Sequence, residues 1–327
     1  MRRHRTAAGI LLAVGALFTG SLAGAGTATA GPAEAGSGPS AAVRTAPAAE
    51  QHRARTFWTP ERMRSATPLD LRLTPRAAKT LKTPATTGRA SAVAPTAAVA
   101  SFPQAGGPWT GGGSVVTTSG RVFFTFQGRT ASCTGNAVTS QNASTVITAG
   151  HCVKYQGSWH TNWVFVPGYD NGNAPYGQWS AAKTLTTPQW EASEDMNYDV
   201  GAAVVAPLGG RTLTSVVGAQ GLQFNGGYNK QMYSFGFPAA SPYDGTKLIY
   251  CSGDSSKDFL FTQDHGLGCN MTGGSSGGPW LTGFSEATGS GLQASVNSFG
   301  YVFLPNRMFG PYFGDVVKAL YDKAQAS

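Results

Sequence analysis

From Val115 onward, apolar residues come in short β-branched and aromatic runs separated by Gly, Asn, Pro and Ser. Arg121–Gln127, Thr145–Thr148, Trp163–Val166, Val200–Val205, Gln231–Phe237, Lys247–Cys251 and Leu292–Phe299 each have the length and composition of a strand. Helical spacing is nearly absent. Its exception is the end of the chain, where Phe313, Val316, Val317, Leu320 and Tyr321 recur every three or four residues after Pro311. Dense short strands with one terminal helix predict an all-β sandwich or barrel. No repeat of fixed period is present.

The chain ahead of this pattern reads differently. Met1-Arg-Arg-His-Arg5 is basic, Ala7 to about Leu22 is apolar, and Ala28-Thr29-Ala30 offers small residues for cleavage, the layout of a secretory signal peptide over 1–30. The apolar run is short and broken by glycines, which argues against a membrane anchor. Arg2-Arg3 alone is a weak indication of the twin-arginine route. Residues 31–105 are rich in Ala, Pro, Thr and Arg and hold no cysteine. Phe57–Met63 and Leu69–Leu81 could form short helices, but little here would build a core. The expectation is a pro-segment removed after export, with a linker of no role in maturation as the alternative. Gly106-Gly107 and Gly111–Gly113 mark its boundary with a domain over 106–327.

Charge confirms the division. The whole chain of 327 residues carries +8, but residues 1–105 hold 13 Lys and Arg against 4 Asp and Glu, and residues 106–327 hold 11 against 12. The domain is therefore nearly neutral, and an electrostatic case for nucleic acid fails. No later stretch approaches the roughly 18 apolar residues of a membrane span, so no membrane association is expected once the signal is removed. All four cysteines, Cys133, Cys152, Cys251 and Cys269, lie in the domain. In an exported chain they predict two disulfides, with Cys133–Cys152 and Cys251–Cys269 favoured of three pairings. Each would close a local loop worth roughly 3 kcal/mol. No Cys-x-x-Cys or His-x-x-x-His spacing supports zinc, and no metal or cofactor is expected.

Candidate chemistry centres on Met271-Thr-Gly-Gly-Ser-Ser-Gly-Gly-Pro-Trp280. Glycines around a serine permit the backbone of a nucleophile turn and let its N–H groups approach a substrate. By itself such a run also fits a plain loop, or the Gly-x-Ser-x-Gly elbow of α/β-hydrolases. Chain order discriminates. The last histidine, His265, precedes Ser276, so the Ser, Asp, His order of α/β-hydrolases is impossible. The Asp, His, Ser order of subtilisins would need Asp70, inside the expected pro-segment. His, Asp, Ser remains.

Of five histidines, His4 and His52 lie in the leading regions, and His160 and His265 sit in polar sequence read as surface. His151 ends the strand-like Thr145–Cys152 run beside a cysteine that would fix its loop. Among Asp170, Asp195, Asp199, Asp244, Asp254, Asp258 and Asp264, only Asp199 leads into an apolar strand. The others are expected as solvated loop carboxylates, with Asp195 the runner-up.

Thr148-Ala-Gly-His-Cys152, Asn197-Tyr-Asp-Val200 and Gly274-Ser-Ser-Gly-Gly-Pro279 together resemble the chymotrypsin-like serine peptidases. Their surroundings look like the secreted actinobacterial branch, which is related to bacterial glutamyl endopeptidases. The resemblance covers about residues 115–325. It implies two six-stranded antiparallel β-barrels, about 115–212 and 213–310, with a helix at about 311–325. It further implies His151 as base, Asp199 as its partner, Ser276 as nucleophile, and the N–H groups of Gly274 and Ser276 as an oxyanion hole. Asn270, Met271, Ser298, Phe299 and Gly300 would line the substrate pocket. The expected protein is an extracellular, monomeric endopeptidase acting on polypeptides. An inactive binding module of the same fold, or an esterase with the same triad, is the alternative.

Two departures from the resemblance matter. Animal members carry an aspartate before the nucleophile that pairs with a new amino terminus, whereas Ser275 stands here. Removal of an inhibitory or chaperoning segment is therefore the expected activation. Trypsin-like members carry an aspartate where Asn270 stands, and glutamyl endopeptidases a histidine where Asn297 stands, so an apolar or broad preference is expected. Asn270-Met-Thr272 also matches a glycosylation acceptor, read here as chance.

Overall fold

A computed structural model describes residues 40–86, 88–93 and 102–327. The expected signal peptide, residues 1–30, lies outside the described residues.

Six strands close into a ring: Trp179–Thr186, Thr161–Pro167, Ser119–Phe126, Arg129–Ala137, Thr145–Thr148 and Gly201–Val205, the last pairing back to the first. Every pairing in the ring is antiparallel. The alternation of side chains explains why its strands are so apolar. Val122, Phe124 and Phe126 point into the barrel with Trp163 and Phe165, whereas the intervening Phe123, Val164 and Val166 belong to a second cluster outside it.

Residues of the leading segment cover that outer cluster. Helices Ala48–Phe57 and Pro60–Ser65 bury Ala54, Trp58, Met63 and Ala66 against Phe123, Val164, Val166 and Phe237. The Trp58 ring lies 5.2 Å from that of Phe123, and its Nε1 donates to the Asn162 carbonyl at 2.7 Å. Ala42–Thr45 adds an antiparallel strand to Thr186–Lys183, and Ser91–Val93 pairs with Leu222–Phe224. The expectation that this segment contributes little core is therefore overturned. It has too few apolar residues for a core of its own, but the ones it has complete a face that the barrel leaves apolar.

The second half is a sheet ordered Gly221–Phe224, Ser290–Val296, Pro279–Ser285, Gln231–Gly236, Ile249–Asp254 and Gln104–Pro108, accompanied by the three-stranded sheet Ser256–Lys257, His265–Gly268 and Arg307–Gly310. Gln104–Pro108 is an edge strand on Ile249–Ser252, so the glycines at 106 and 107 lie within an element instead of marking a break. The predicted helix forms over Asp315–Gln325. It inserts Val317, Leu320, Tyr321 and Ala324 into the core of the first barrel, tying the chain end to its first half.

Both favoured disulfides are present, with S–S distances of 2.08 Å for Cys133–Cys152 and 2.06 Å for Cys251–Cys269. Two sequence expectations fail. His160 and His265 are buried, as are Asp258 and Asp264. Their neighbours in sequence are polar, but residues distant in the chain enclose them. No helix among the described residues is long and apolar enough to cross a membrane.

Candidate active site

His151 sits in a short 3₁₀ turn, Gly150–Cys152, directly after the strand Thr145–Thr148. The strand is clamped in the barrel and Cys152 is bonded to Cys133 on the neighbouring strand, so the turn is held from both sides. Asp199 follows another 3₁₀ turn, Met196–Tyr198, and precedes the strand Gly201–Val205 that pairs with Thr145–Thr148. Adjacent strands thus bring two residues 48 positions apart into contact.

Asp199 grips His151 twice. Oδ1 accepts the His151 backbone N–H at 2.8 Å, and Oδ2 lies 2.7 Å from ring Nδ1. Both side chains are fully buried. Oδ2 also accepts from Ser298 Oγ at 2.6 Å. Asp195, the runner-up, instead caps the 3₁₀ turn by accepting from the Asn197 N–H at 3.1 Å and does not contact His151. His160 supports the site from below: its Nε2 donates to the His151 carbonyl at 2.9 Å while its ring stacks on Phe124 at 4.2 Å. Burial lowers the His160 pKa to about 4, so this ring is neutral at pH 7.

Ser276 lies on the turn after Met271, with Gly274 at φ +97° and Gly277 at φ +81°. A Cβ on Gly277 would stand 2.1 Å from Thr148 Oγ1, so only glycine fits there. Thr134 joins the turn to the first barrel. Its N–H donates to the Ser276 carbonyl at 2.7 Å and its Oγ1 donates to the Gly274 carbonyl at 2.9 Å. The serine on one half and the histidine on the other are thereby mounted on one hydrogen-bonded frame.

Asn297 is a residue of this frame whose role sequence reasoning missed. Its Oδ1 accepts from Ser234 Oγ and Trp280 Nε1, both at 2.7 Å. Its Nδ2 donates to the carbonyls of Phe235 at 2.9 Å and Ser275 at 3.1 Å. In the sequence this position stands out only as an asparagine where glutamyl endopeptidases carry a histidine. The four partners come from two separate strands, Gln231–Gly236 and Pro279–Ser285, and the turn, so no local pattern could reveal them. Ser275 itself turns inward, donating from Oγ to the Thr272 carbonyl at 2.8 Å.

Of the residues expected to line the substrate pocket, Asn270, Met271 and Gly300 border a cavity of about 250 Å³ that is also lined by Met308 and by Asp70 and Arg72 of the leading segment. Ser298 is tied to Asp199, and Phe299 is buried with its ring stacked on Phe309 at 5.3 Å; neither lines that cavity. Asn270 is exposed at the cavity, where its Oδ1 accepts from Tyr243 Oη at 2.6 Å, and Arg307 lines the same cavity. The Gly274 N–H donates to the carbonyl of Leu69 at 3.4 Å, and Ser276 Oγ donates to the same oxygen at 3.2 Å. Among the described residues, the one group with metal-ligand spacing is Cys133, His151 and Cys152, and both of its sulfurs are committed to the disulfide.

Comparison with solved structures places this arrangement. Protease Anisep from Arthrobacter nicotinovorans is 46% identical, and the match covers 65% of this chain and 98% of that one with a TM-score of 0.62. The chain belongs to the bacterial serine proteases of chymotrypsin fold. A thermostable serine protease, AL20, from an extremophilic microorganism is 39% identical over 65% of this chain and 99% of its own, also at a TM-score of 0.62. A Glu endopeptidase, 16% identical at a TM-score of 0.53, shares the fold. No family model matches the chain. A stretch of 82 residues is 38% identical to a Bacillus subtilis protein named extracellular metalloprotease, and the chain spans a quarter of that protein's length.

Proposed function

We propose that this member of the chymotrypsin-fold serine proteases is a secreted endopeptidase, made as a precursor and hydrolysing peptide bonds through an acyl-enzyme on Ser276. The observation that carries the reading is the double grip of Asp199 on His151. An Nδ1–H held by a buried carboxylate leaves Nε2 as the basic nitrogen and fixes its direction. His151 Nε2 then takes the Ser276 proton as Oγ attacks the substrate carbonyl. The N–H groups of Gly274 and Ser276 receive the oxygen as it gains charge. The imidazolium, stabilised by Asp199, protonates the leaving amine, and a water activated by the same nitrogen hydrolyses the ester. With Asn270 standing where trypsin-like members carry an aspartate, the reading is an apolar or broad preference before the cleaved bond, without selection for Lys or Arg. We place the cut that separates the leading segment at its expected boundary with the domain, near residue 105.

A fluorophosphonate probe followed by peptide mass mapping tests the assignment. The processed protein is expected to carry the label on Ser276, and Ser276→Ala to carry none. Parallel assays on casein and on short-chain esters separate peptidase from esterase action. Processed, folded protein that stays unlabelled would defeat the enzyme reading.

A further inference from the structure

The leading segment crosses the candidate cleft. Thr67 and Pro68 pair with Ala131 and Ser132, and Leu69 N–H donates to the Ser132 carbonyl at 3.0 Å. Leu69 then presents its carbonyl to Gly274 N–H and Ser276 Oγ. Asp70 passes over Gly273, where an added Cβ would meet its Cβ at 2.8 Å. Beyond it, Arg72 and Leu73 pair with Gly300 and Tyr301, and the carbonyls of Leu71 and Leu73 accept from the N–H groups of Gly300 and Val302, both at 3.2 Å.

Both pairings are parallel, and their order along the chain is decisive. A productive substrate must place the residue whose carbonyl is attacked, and the residues before it, on the pocket side at Asn270 and Gly300. Its leaving nitrogen must lie on the side of His151. Residues 67–73 run the other way, entering past Ser132 and leaving past Gly300. Attack on the Leu69 carbonyl would therefore expel the Asp70 nitrogen on the Gly273 side, away from the group that must protonate it. The Ser276 hydroxyl is also diverted to the Leu69 oxygen, and the buried Nε2 of His151 has no hydrogen-bond partner among the described residues.

We propose that the cleft is a binding site for a peptide of reversed polarity, filled by Thr67–Leu73, which occupies the oxyanion position and the pocket mouth without being cut. The anchors at Ala42–Thr45, Trp58 and Ser91–Val93 hold this strand in place, so the leading segment inhibits while it remains folded on the barrel. This inference rests on the serine peptidase reading.

Its test uses the full chain, secreted and verified intact by mass. Fluorophosphonate labelling is compared for the natural sequence, Leu71→Asp, which places charge on a buried side chain, and Leu69→Pro, which removes the N–H donated to Ser132. Unfolded protein does not label, so a faster rate cannot arise from misfolding. At least a tenfold faster rate in either variant, with the Leu69–Asp70 bond intact in the natural chain after long incubation, supports the proposal. An intact natural chain that labels as fast as both variants overturns the block. Scission at Leu69–Asp70 overturns the polarity. Absence of label in every form, processed chain included, overturns the peptidase reading and this inference with it.

Discussion

Asn297 donates from Nδ2 to the carbonyl of Ser275, one residue before the candidate nucleophile, at a distance of 3.1 Å. The same side chain accepts from Trp280 Nε1 and Ser234 Oγ in the second sheet, so the turn that aims Ser276 is pinned to its core. A buried amide with every hydrogen bond satisfied is a rigid strut.

Replacing Asn297 by Leu would take the acceptor from two buried donors, Ser234 Oγ and Trp280 Nε1, while the Ser275 carbonyl keeps the Gly278 N–H at 2.9 Å, and each unsatisfied group costs about 1–3 kcal/mol. The expected outcome is a thermal midpoint lowered by several degrees and a kcat reduced more than KM is raised. Asn297→Asp keeps the two accepted bonds but sets a carboxylate oxygen against the carbonyls of Phe235 and Ser275. It is expected to retain more stability than Asn297→Leu while still losing kcat. Calorimetry and steady-state kinetics on a peptide substrate check both.

His160 makes stability depend on acid. Its folded pKa, lowered by burial from 6.5 to about 4, lies below the unfolded value, so the unfolded chain binds the proton first. The stability is fully present above pH 6.5 and is lost as pH falls through about 4. The shift corresponds to roughly 3 kcal/mol. His265, lowered by burial to about 3, acts in the same direction. Denaturant unfolding of a Ser276→Ala background, with and without His160→Gln, is expected to show a shallower loss between pH 6.5 and 4 in the double variant. Equal slopes would remove His160 as a source.

Asp264 acts in the opposite direction. It is completely buried, neither carboxylate oxygen has a hydrogen-bond partner among the described residues, and burial followed by the charge of Asp258 raises its pKa well above the ordinary value. A raised folded pKa means stability that is present below the unfolded pKa and is lost as pH rises toward the folded one. Asp264→Asn is therefore expected to be more stable than the natural protein at pH 7, with the difference shrinking toward pH 4. The same unfolding series checks it, and a stability gain that grows toward acid would contradict the sign.

The strands and the order of chemical groups were legible in the sequence because both are written locally. Short β-branched and aromatic runs bounded by Gly, Asn, Pro and Ser mark a strand wherever it lies, and Thr148–Cys152, Asn197–Val200 and Gly274–Pro279 carry their glycines and neighbours with them. Disulfide pairing was legible for a similar reason, since both bridges close short loops, 19 and 18 residues apart. Burial was not. His160 and Asp264 look like surface residues among polar neighbours, and only distant strands decide that water is excluded from them.

The leading segment shows the same division most clearly. Its composition indicated a separate stretch of chain with no core of its own, and that much is a property of sequence. That Trp58 and Met63 complete the outer face of the barrel, and that Leu69 faces Ser276, depends on surfaces built by residues far along the chain. Direction of passage is likewise invisible in composition. A run of residues has the same content whichever way it crosses a cleft, and only tertiary pairing, parallel at Ser132 and at Gly300, sets its polarity against the nucleophile.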